Sequence, residues 1–342
     1  LDSLNFFENY DAEKRVRNGK IDFVPAYRPF QLAFLLLSID GIVNPESQSR
    51  NNIVDLIWFP TGGGKTEAYL AVAALTIAFR RLNNETGFEG TSVIMRYTLR
   101  LLTAQQFERA SRLITALEFL RKQKEFSNDL KDEPISIGLW VGMGSTPNDI
   151  KGAKSQIRKI ENECNKKNGN PEEQNSFQIS SCPWCGTKLI TPYTTKSGNV
   201  VWKSGFSHSK KEGFIMKCNN EACTCSNGIS VQVIDEELYQ KPPTLLFGTV
   251  DKFAMLAWQN KAHNFFNSLD DEKLPPDLII QDELHLLSGP LGSITGIFES
   301  VIEDLATKNG IPPKIIASTA TTRNTEFQVN NLYGNRDVNV FP

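Results

Sequence analysis

Three consecutive glycines followed by a lysine and a threonine stand at Phe59-Pro60-Thr61-Gly62-Gly63-Gly64-Lys65-Thr66. Glycines leave room for a backbone curled so that successive N–H groups face phosphate oxygens, a geometry that side chains would obstruct. A helix starting just beyond them adds the positive end of its dipole. Lys65 can then reach the β- and γ-phosphates of a nucleotide, and the Thr66 hydroxyl can ligate Mg²⁺. A plain glycine-rich turn would use the same letters. The apolar run before the turn and the Ala-rich run after it favour a nucleotide site. One departure stands out: the usual first Gly or Ala of such a loop is Phe59 here.

A second chemical signal is Leu278-Ile279-Ile280-Gln281-Asp282-Glu283-Leu284-His285. Apolar residues carry two carboxylates to the carboxyl end of a strand, where open α/β sheets bind ligands. Asp282 would hold Mg²⁺ through its water shell. Glu283 would orient and deprotonate an attacking water, while the metal and Lys65 offset charge on the transferred phosphoryl group. An exposed acidic pair capping a strand is the competing reading; the glycine loop tips the balance toward catalysis.

The third signal is sulfur. Cys182-Pro183-Trp184-Cys185-Gly186 is a C-x₂-C turn, followed later by Cys218-Asn219-Asn220-Glu221-Ala222-Cys223-Thr224-Cys225. Two thiolate pairs from separate turns can close a tetrahedral Zn²⁺ site, with Cys182, Cys185, Cys218 and Cys223 as the chosen set. Cys225 is the alternative fourth ligand, His208 a weaker substitute and Cys164 a bystander. Thioredoxin-like redox chemistry is the rival, but no βαβ pattern surrounds the first pair. Trp184, Trp202 and Phe206 are available in the same region as stacking surfaces for nucleic acid, or simply as the packing of a small module.

These residues need elements to position them. Residues 53–59 form a mostly apolar run ending at Pro60, as a buried strand does, and 67–81 read as an Ala-rich helix. Further strands are expected at Val93–Tyr97, 135–141, 244–247, 278–280 and 314–317, with a long helix over 103–124. Strands alternating with helices imply a parallel sheet covered by helices on both faces. The alternation breaks over 148–237, a Lys-, Asn- and Ser-rich insertion holding all six cysteines, five of them in its later part. A charged helical lead-in is expected at 151–174 and short strands at 200–202 and 214–216. The division expected is therefore 1–147, the insertion 148–237, and 238–342.

Composition bounds the partners. The 342 residues carry 37 Lys+Arg against 39 Asp+Glu, a net charge of −2. That excludes a polybasic binder held by bulk charge, so any nucleic-acid contact relies on a local patch. The longest apolar runs fall well short of the ~20 residues a membrane helix needs. No membrane contact is expected. The chain opens Leu1-Asp2-Ser3 without a basic-then-apolar leader, which points to the cytoplasm, and lacks a starting Met, which suggests a piece of a longer protein.

The motifs together resemble a known family. Phe59 to Thr66, Asp282-Glu283-Leu284-His285 and Thr319-Ala320-Thr321 resemble motifs I, II and III of superfamily 2 DExH-type helicases. Arg28-Pro29-Phe30-Gln31 looks like their adenine-reading Gln element, Arg96-Tyr97-Thr98-Leu99-Arg100-Leu101-Leu102 like motif Ia, and Gly248-Thr249-Val250-Asp251-Lys252-Phe253 like motif Ib. The order is right, and with the cysteine insertion the chain is most similar to DrmA-type helicases of DISARM anti-phage systems.

The resemblance implies the first RecA-like lobe of a P-loop NTPase with a zinc-ribbon-type insertion. It implies ATP held by Arg28, Gln31, Thr61, Gly62, Gly63, Gly64, Lys65 and Thr66, with Lys65, Asp282, Glu283 and His285 in catalysis. Thr319 and Thr321 would couple the nucleotide to movement, and Thr98, Arg100, Thr249 and Lys252 would touch nucleic-acid backbone, DNA being favoured. A protein partner in a defence complex is also implied. Each of these has a plainer reading: a helix start at Pro29, a hydroxyl-rich turn at Thr319, solvated surface residues elsewhere. A non-motor P-loop enzyme and a zinc-dependent assembly module are the rival functions. Because the family places nucleotide between two lobes, this chain by itself is expected to hydrolyse ATP poorly.

Overall fold

The computed structural model describes residues 26–342 except 60–62, 99, 143, 167–168, 196–199, 210–212, 268–269, 321–323 and 335. It also gives the backbone of three two-residue strands between Tyr10 and Ile21, and it leaves the side chains of 100–104 undescribed.

An eight-stranded sheet organises the chain. Its strands are β1 (Ile53–Trp58), β2 (Val93–Tyr97), β3 (Ile137–Trp140), β8 (Val231–Gln232), β9 (Leu245–Thr249), β10 (Leu278–Gln281), β11 (Lys314–Thr319) and β12 (Asp337–Phe341). The order across the sheet is β8-β3-β9-β2-β10-β11-β1-β12, and every pairing is parallel. Parallel neighbours require crossovers, supplied chiefly by α2 (Lys65–Asn83), α3 (Arg100–Arg121), α6 (Gly289–Leu305) and α7 (Thr325–Leu332), while α1 (Pro29–Val43) precedes the sheet.

The two faces separate by the strand period of two. Val93, Met95 and Tyr97, Leu278 and Ile280, and Leu245 and Phe247 point into one core with Phe34 of α1, Tyr69 and Val72 of α2 and Phe107 of α3. Their neighbours Ile94, Ile279 and Leu246 face the opposite core with Phe253, Phe265 and Ile302 of α6. Both faces are thus covered, which is why the strands read as near-continuous apolar runs.

The insertion carries α4 (Ile150–Cys164) and two antiparallel hairpins, β4 (Ile190–Thr194) with β5 (Val200–Ser204), and β6 (Phe206–Ser209) with β7 (Gly213–Met216). It has no core of its own. Phe177, Phe206, Met216 and the buried cysteines belong to the same apolar cluster as Val93 and Phe107. Three expectations need adjusting. The lead-in helix ends at Cys164, because Gly169 folds back against the Glu163 carbonyl, and only a short 3₁₀ turn (Pro171–Gln174) follows. Val231–Gln232, expected inside the insertion, pairs with β3 as the edge of the main sheet, and α5 (Asp235–Gln240) joins the second core through Leu238 and Tyr239. Phe206 is buried against Phe177 and Phe214, so it offers no stacking surface. No described helix is long and apolar enough to cross a membrane.

Candidate functional site

The carboxyl ends of β1, β11, β10 and β2 come level at one edge of the sheet: Thr319 pairs with Trp58, Ala317 with Gln281, and Gln281 with Arg96. The glycine loop leaves β1 at this edge. Thr61, Gly62 and Thr321 lie outside the described residues, as does the side chain of Arg100. Gly64 caps α2 with φ 96°, in the left-handed region, and a Cβ there would sit 2.7 Å from Gln31 Nε2. Glycine is required twice over, by conformation and by contact.

Gln31 is 5% exposed and bonded at both ends of its amide. Its Nε2 donates to the Gly64 carbonyl at 2.9 Å, and its Oε1 accepts from the Arg28 backbone N–H at 2.7 Å. Arg28 Nη1 donates to the Gly63 carbonyl at 2.9 Å. The segment is therefore a helix start with Pro29 in the first turn and, at the same time, a brace for the glycine loop. Phe59 has a partner too: its ring stacks on Phe30 at 4.2 Å and 17°. The departure from the usual loop pattern is an aromatic tie to α1.

Lys65 and Thr66 open α2 and are almost buried. Lys65 Nζ donates to the Thr319 carbonyl at 3.1 Å, joining the loop to the end of β11. Thr66 Oγ1 donates to Gln106 Oε1 at 3.1 Å. Tyr69, one helical turn on, donates to Asp282 Oδ2 at 2.9 Å and lies 3.2 Å from Thr66 Oγ1 and 3.1 Å from the Tyr97 hydroxyl. Burial pushes both phenols well above the ordinary tyrosine range, and the Asp282 charge adds to it. They are neutral donors.

Asp282 Oδ1 accepts from the Glu283 N–H at 3.0 Å, so the carboxylate is held from both sides. Glu283 turns the chain sharply at φ 51°, ψ 47°, a left-handed conformation that costs a non-glycine residue about 1–2 kcal/mol. Burial raises its carboxyl above the usual glutamate value, with the Asp282 charge adding to this and Lys65 and His285 opposing it. A raised carboxyl suits proton acceptance near neutrality. His285 Nδ1 lies 3.4 Å from Glu283 Oε2 and 3.3 Å from Thr319 Oγ1, linking the acidic turn to β11. The donor set fits a hydrated Mg²⁺: one hydroxyl and one carboxylate, oxygen ligands only, with Lys65 for phosphate charge. Tyr69 and Gln106 are absent from the sequence reading, and Tyr97 enters it only within the motif Ia-like run. The helical spacing of Thr66 and Tyr69 was the one available signal.

The cysteines gather as well. Sγ atoms of Cys182, Cys185, Cys218 and Cys223 lie within 4.8 Å of one another, with Cys182–Cys223 at 3.8 Å and Cys185–Cys218 at 3.5 Å. A tetrahedron with Zn–S bonds near 2.3 Å has edges of about 3.8 Å, so the set fits that ion without a disulfide. Gly186 at φ 76° makes the knuckle, donating to the Cys182 carbonyl at 2.9 Å. The backbone N–H groups of Asn220 and Cys225 approach the sulfurs of Cys218 and Cys223, each at 3.4 Å, as suits thiolate acceptors. Cys225 is buried alongside and supplies that backbone donor. His208 sits in the β6–β7 ladder opposite Phe214, and Cys164 ends α4; neither belongs to the group.

No family model matches the chain. It is 38% identical over 355 aligned positions to the DISARM protein DrmA of Bacillus paralicheniformis, an alignment covering 92% of this chain. The chain is DrmA-like. It spans 30% of the length of that relative. Among solved structures, the DUF1998 helicase MrfA bound to DNA aligns with 98% of this chain and 30% of its own, at 13% identity and TM-score 0.46. The Mycobacterium smegmatis helicase Lhr bound to ssDNA and AMP-PNP aligns with 92% of this chain and 27% of its own, at 14% identity and TM-score 0.46.

In this DrmA-like chain the residues expected to touch nucleic acid divide. Thr98 sits half-buried just beyond β2 at the site edge, its hydroxyl without a hydrogen-bond partner among the described residues. Thr249 is 0% exposed at the end of β9, which removes it from contact with a bound strand in this arrangement. Lys252 is likewise turned inward: its Nζ pairs with Asp235 Oδ2 at 2.7 Å and lies 5.6 Å over the Trp140 ring. The expectation that Lys252 touches nucleic-acid backbone, and its plainer reading as a solvated cation, are both corrected by this pairing. Burial drives it, since an ammonium inside the fold needs a carboxylate partner.

Proposed function

We propose that the chain is the first RecA-like lobe of an ATP-dependent, DNA-acting motor in a DISARM-type anti-phage system, with a structural Zn²⁺ in its insertion. The reading is carried by one observation: Tyr69, Tyr97 and Asp282, from three distant segments, form one hydrogen-bonded group beside Lys65 and the glycine loop, with Thr66 Oγ1 3.2 Å from the Tyr69 oxygen. Thr66 and Asp282 would hold Mg²⁺, which when bound would screen phosphate charge. Lys65 would bind the phosphates. Glu283 would take the proton of the attacking water, and His285 with Thr319 would relay the state of that turn to β11. Gln31 would brace the loop and still have one amide N–H and one carbonyl lone pair with which to read adenine. Similarity to DrmA supports the defence setting and a longer parent protein, whose remaining segments would complete the nucleotide cleft.

The test is ATP hydrolysis by the full-length protein with and without single-stranded DNA. Stimulation by DNA, lost in Lys65→Ala, is the expected result. Hydrolysis indifferent to nucleic acid would favour a non-motor P-loop enzyme instead.

A further inference from the structure

The Asp282 carboxylate and the Thr66 hydroxyl, the two oxygen ligands set out above, do not touch each other. A single buried phenol spans them. Tyr69 is 0% exposed, lies 2.9 Å from Asp282 Oδ2 and 3.2 Å from Thr66 Oγ1, and has Tyr97, 2% exposed, behind it at 3.1 Å. Proton accounting gives one consistent pattern. Tyr69 has one proton, and the carboxylate is both the nearest and the only charged acceptor of the three, so the proton goes there. Tyr97 then donates to the Tyr69 oxygen, and Thr66 donates to Gln106 Oε1 at 3.1 Å, which leaves a Thr66 lone pair for a cation. Tyr97 cannot swing away, because its ring stacks on Phe247 at 4.5 Å and 18°.

We infer that Tyr69 is a positioning residue for the divalent ion, holding the Asp282 carboxylate in one orientation beside the Thr66 hydroxyl, with Tyr97 seating it. The inference rests on the nucleotide reading above. Tyr69 touches neither nucleotide nor metal; it acts by denying the carboxylate any other rotamer, as outer partners of metal ligands do.

The experiment measures affinity of the full-length protein for a fluorescent ATP analogue, in EDTA and across a Mg²⁺ titration. Tyr69→Phe keeps the ring and removes the hydroxyl. Expected is unchanged affinity in EDTA, within about twofold, and a Mg²⁺ midpoint raised roughly tenfold. Tyr97→Phe should raise the midpoint less, and the double variant should match Tyr69→Phe, because Tyr97 works through Tyr69. A merely structural role would lower melting temperature additively and leave the Mg²⁺ midpoint alone; that result overturns the inference. If Tyr69→Phe does not fold, an unmoved midpoint in Tyr97→Phe overturns it equally. Lys65→Ala separates the two layers. If the parent shows no Mg²⁺-dependent binding and matches Lys65→Ala, the nucleotide reading fails and takes this inference with it. If the parent binds and Lys65→Ala does not, an unchanged Tyr69→Phe overturns the inference alone.

Discussion

The nucleotide-type site and the cysteine cluster solve opposite assembly problems. The cluster draws its four sulfurs from two short turns, and a tetrahedral ion would impose the remaining geometry. The nucleotide-type site draws on α1, the glycine loop, β2, β10 and β11, and must hold its carboxylates in place with hydrogen bonds of its own. One element serves both. On α3, Gln106 binds the Thr66 hydroxyl, Glu108 accepts from the Ser180 hydroxyl at 3.2 Å, and Phe119 packs on Trp184 at 4.6 Å. The difference teaches where order would come from: an ion on four thiolates in one region, buried neutral donors in the other.

Metal withdrawal is the largest lever on that contrast. Structural zinc in small sites contributes roughly 10 kcal/mol of binding free energy to folding. A strong chelator should therefore unfold the insertion and change the fluorescence of Trp184, while the glycine loop and the Asp282 turn persist. Elemental analysis should find one zinc per chain, lost in Cys223→Ser and retained in Cys225→Ser. Zinc retained in Cys223→Ser and lost in Cys225→Ser would move the fourth ligand to Cys225. Next in size is Glu283→Gln, which should slow hydrolysis in the full-length protein by about 10²–10⁴-fold with nucleotide binding retained. A parent-like rate would remove Glu283 from the chemistry.

The glycine loop, the acidic pair and the cysteine pairs were legible because each concentrates its chemistry in a few consecutive residues. The parallel sheet was legible too, since strands buried on both faces must be apolar throughout. What stayed hidden depends on contacts between distant segments. Tyr69 and Tyr97 look like ordinary core aromatics until the sheet register places Tyr97 beside Asp282. Lys252 reads as a surface cation because nothing near it in sequence announces Asp235, which lies beyond β9 on α5. The end of the insertion was misplaced for the same reason. Val231–Gln232 is too short to declare itself a strand, and only pairing with β3 makes it one.

Lys252 sharpens the contrast at intermediate size. If its role is to neutralise Asp235, Lys252→Ala should cost about 3–5 kcal/mol by stranding a buried carboxylate. Pairing Lys252→Met with Asp235→Leu should recover most of that stability, read by denaturant unfolding. DNA affinity in the double variant should equal that of the parent. A lasting loss of DNA affinity in the stabilised double variant would restore Lys252 as a contact.

The smallest effect belongs to Phe59. Its stacking on Phe30 ties the approach to the glycine loop to α1, and Gln31 on the next residue of that helix grips Gly64. Alanine, a residue more usual at this loop position, would delete the aromatic pair, worth about 0.5–1.5 kcal/mol beyond its buried area. Because Gln31 and Arg28 still hold the Gly64 and Gly63 carbonyls, the loop itself should keep its shape. Phe59→Ala should therefore lower the melting temperature by a few degrees and leave nucleotide affinity within about twofold. Affinity falling with stability unchanged would reverse the assignment: the ring would then belong to the ligand surface rather than to the brace behind it.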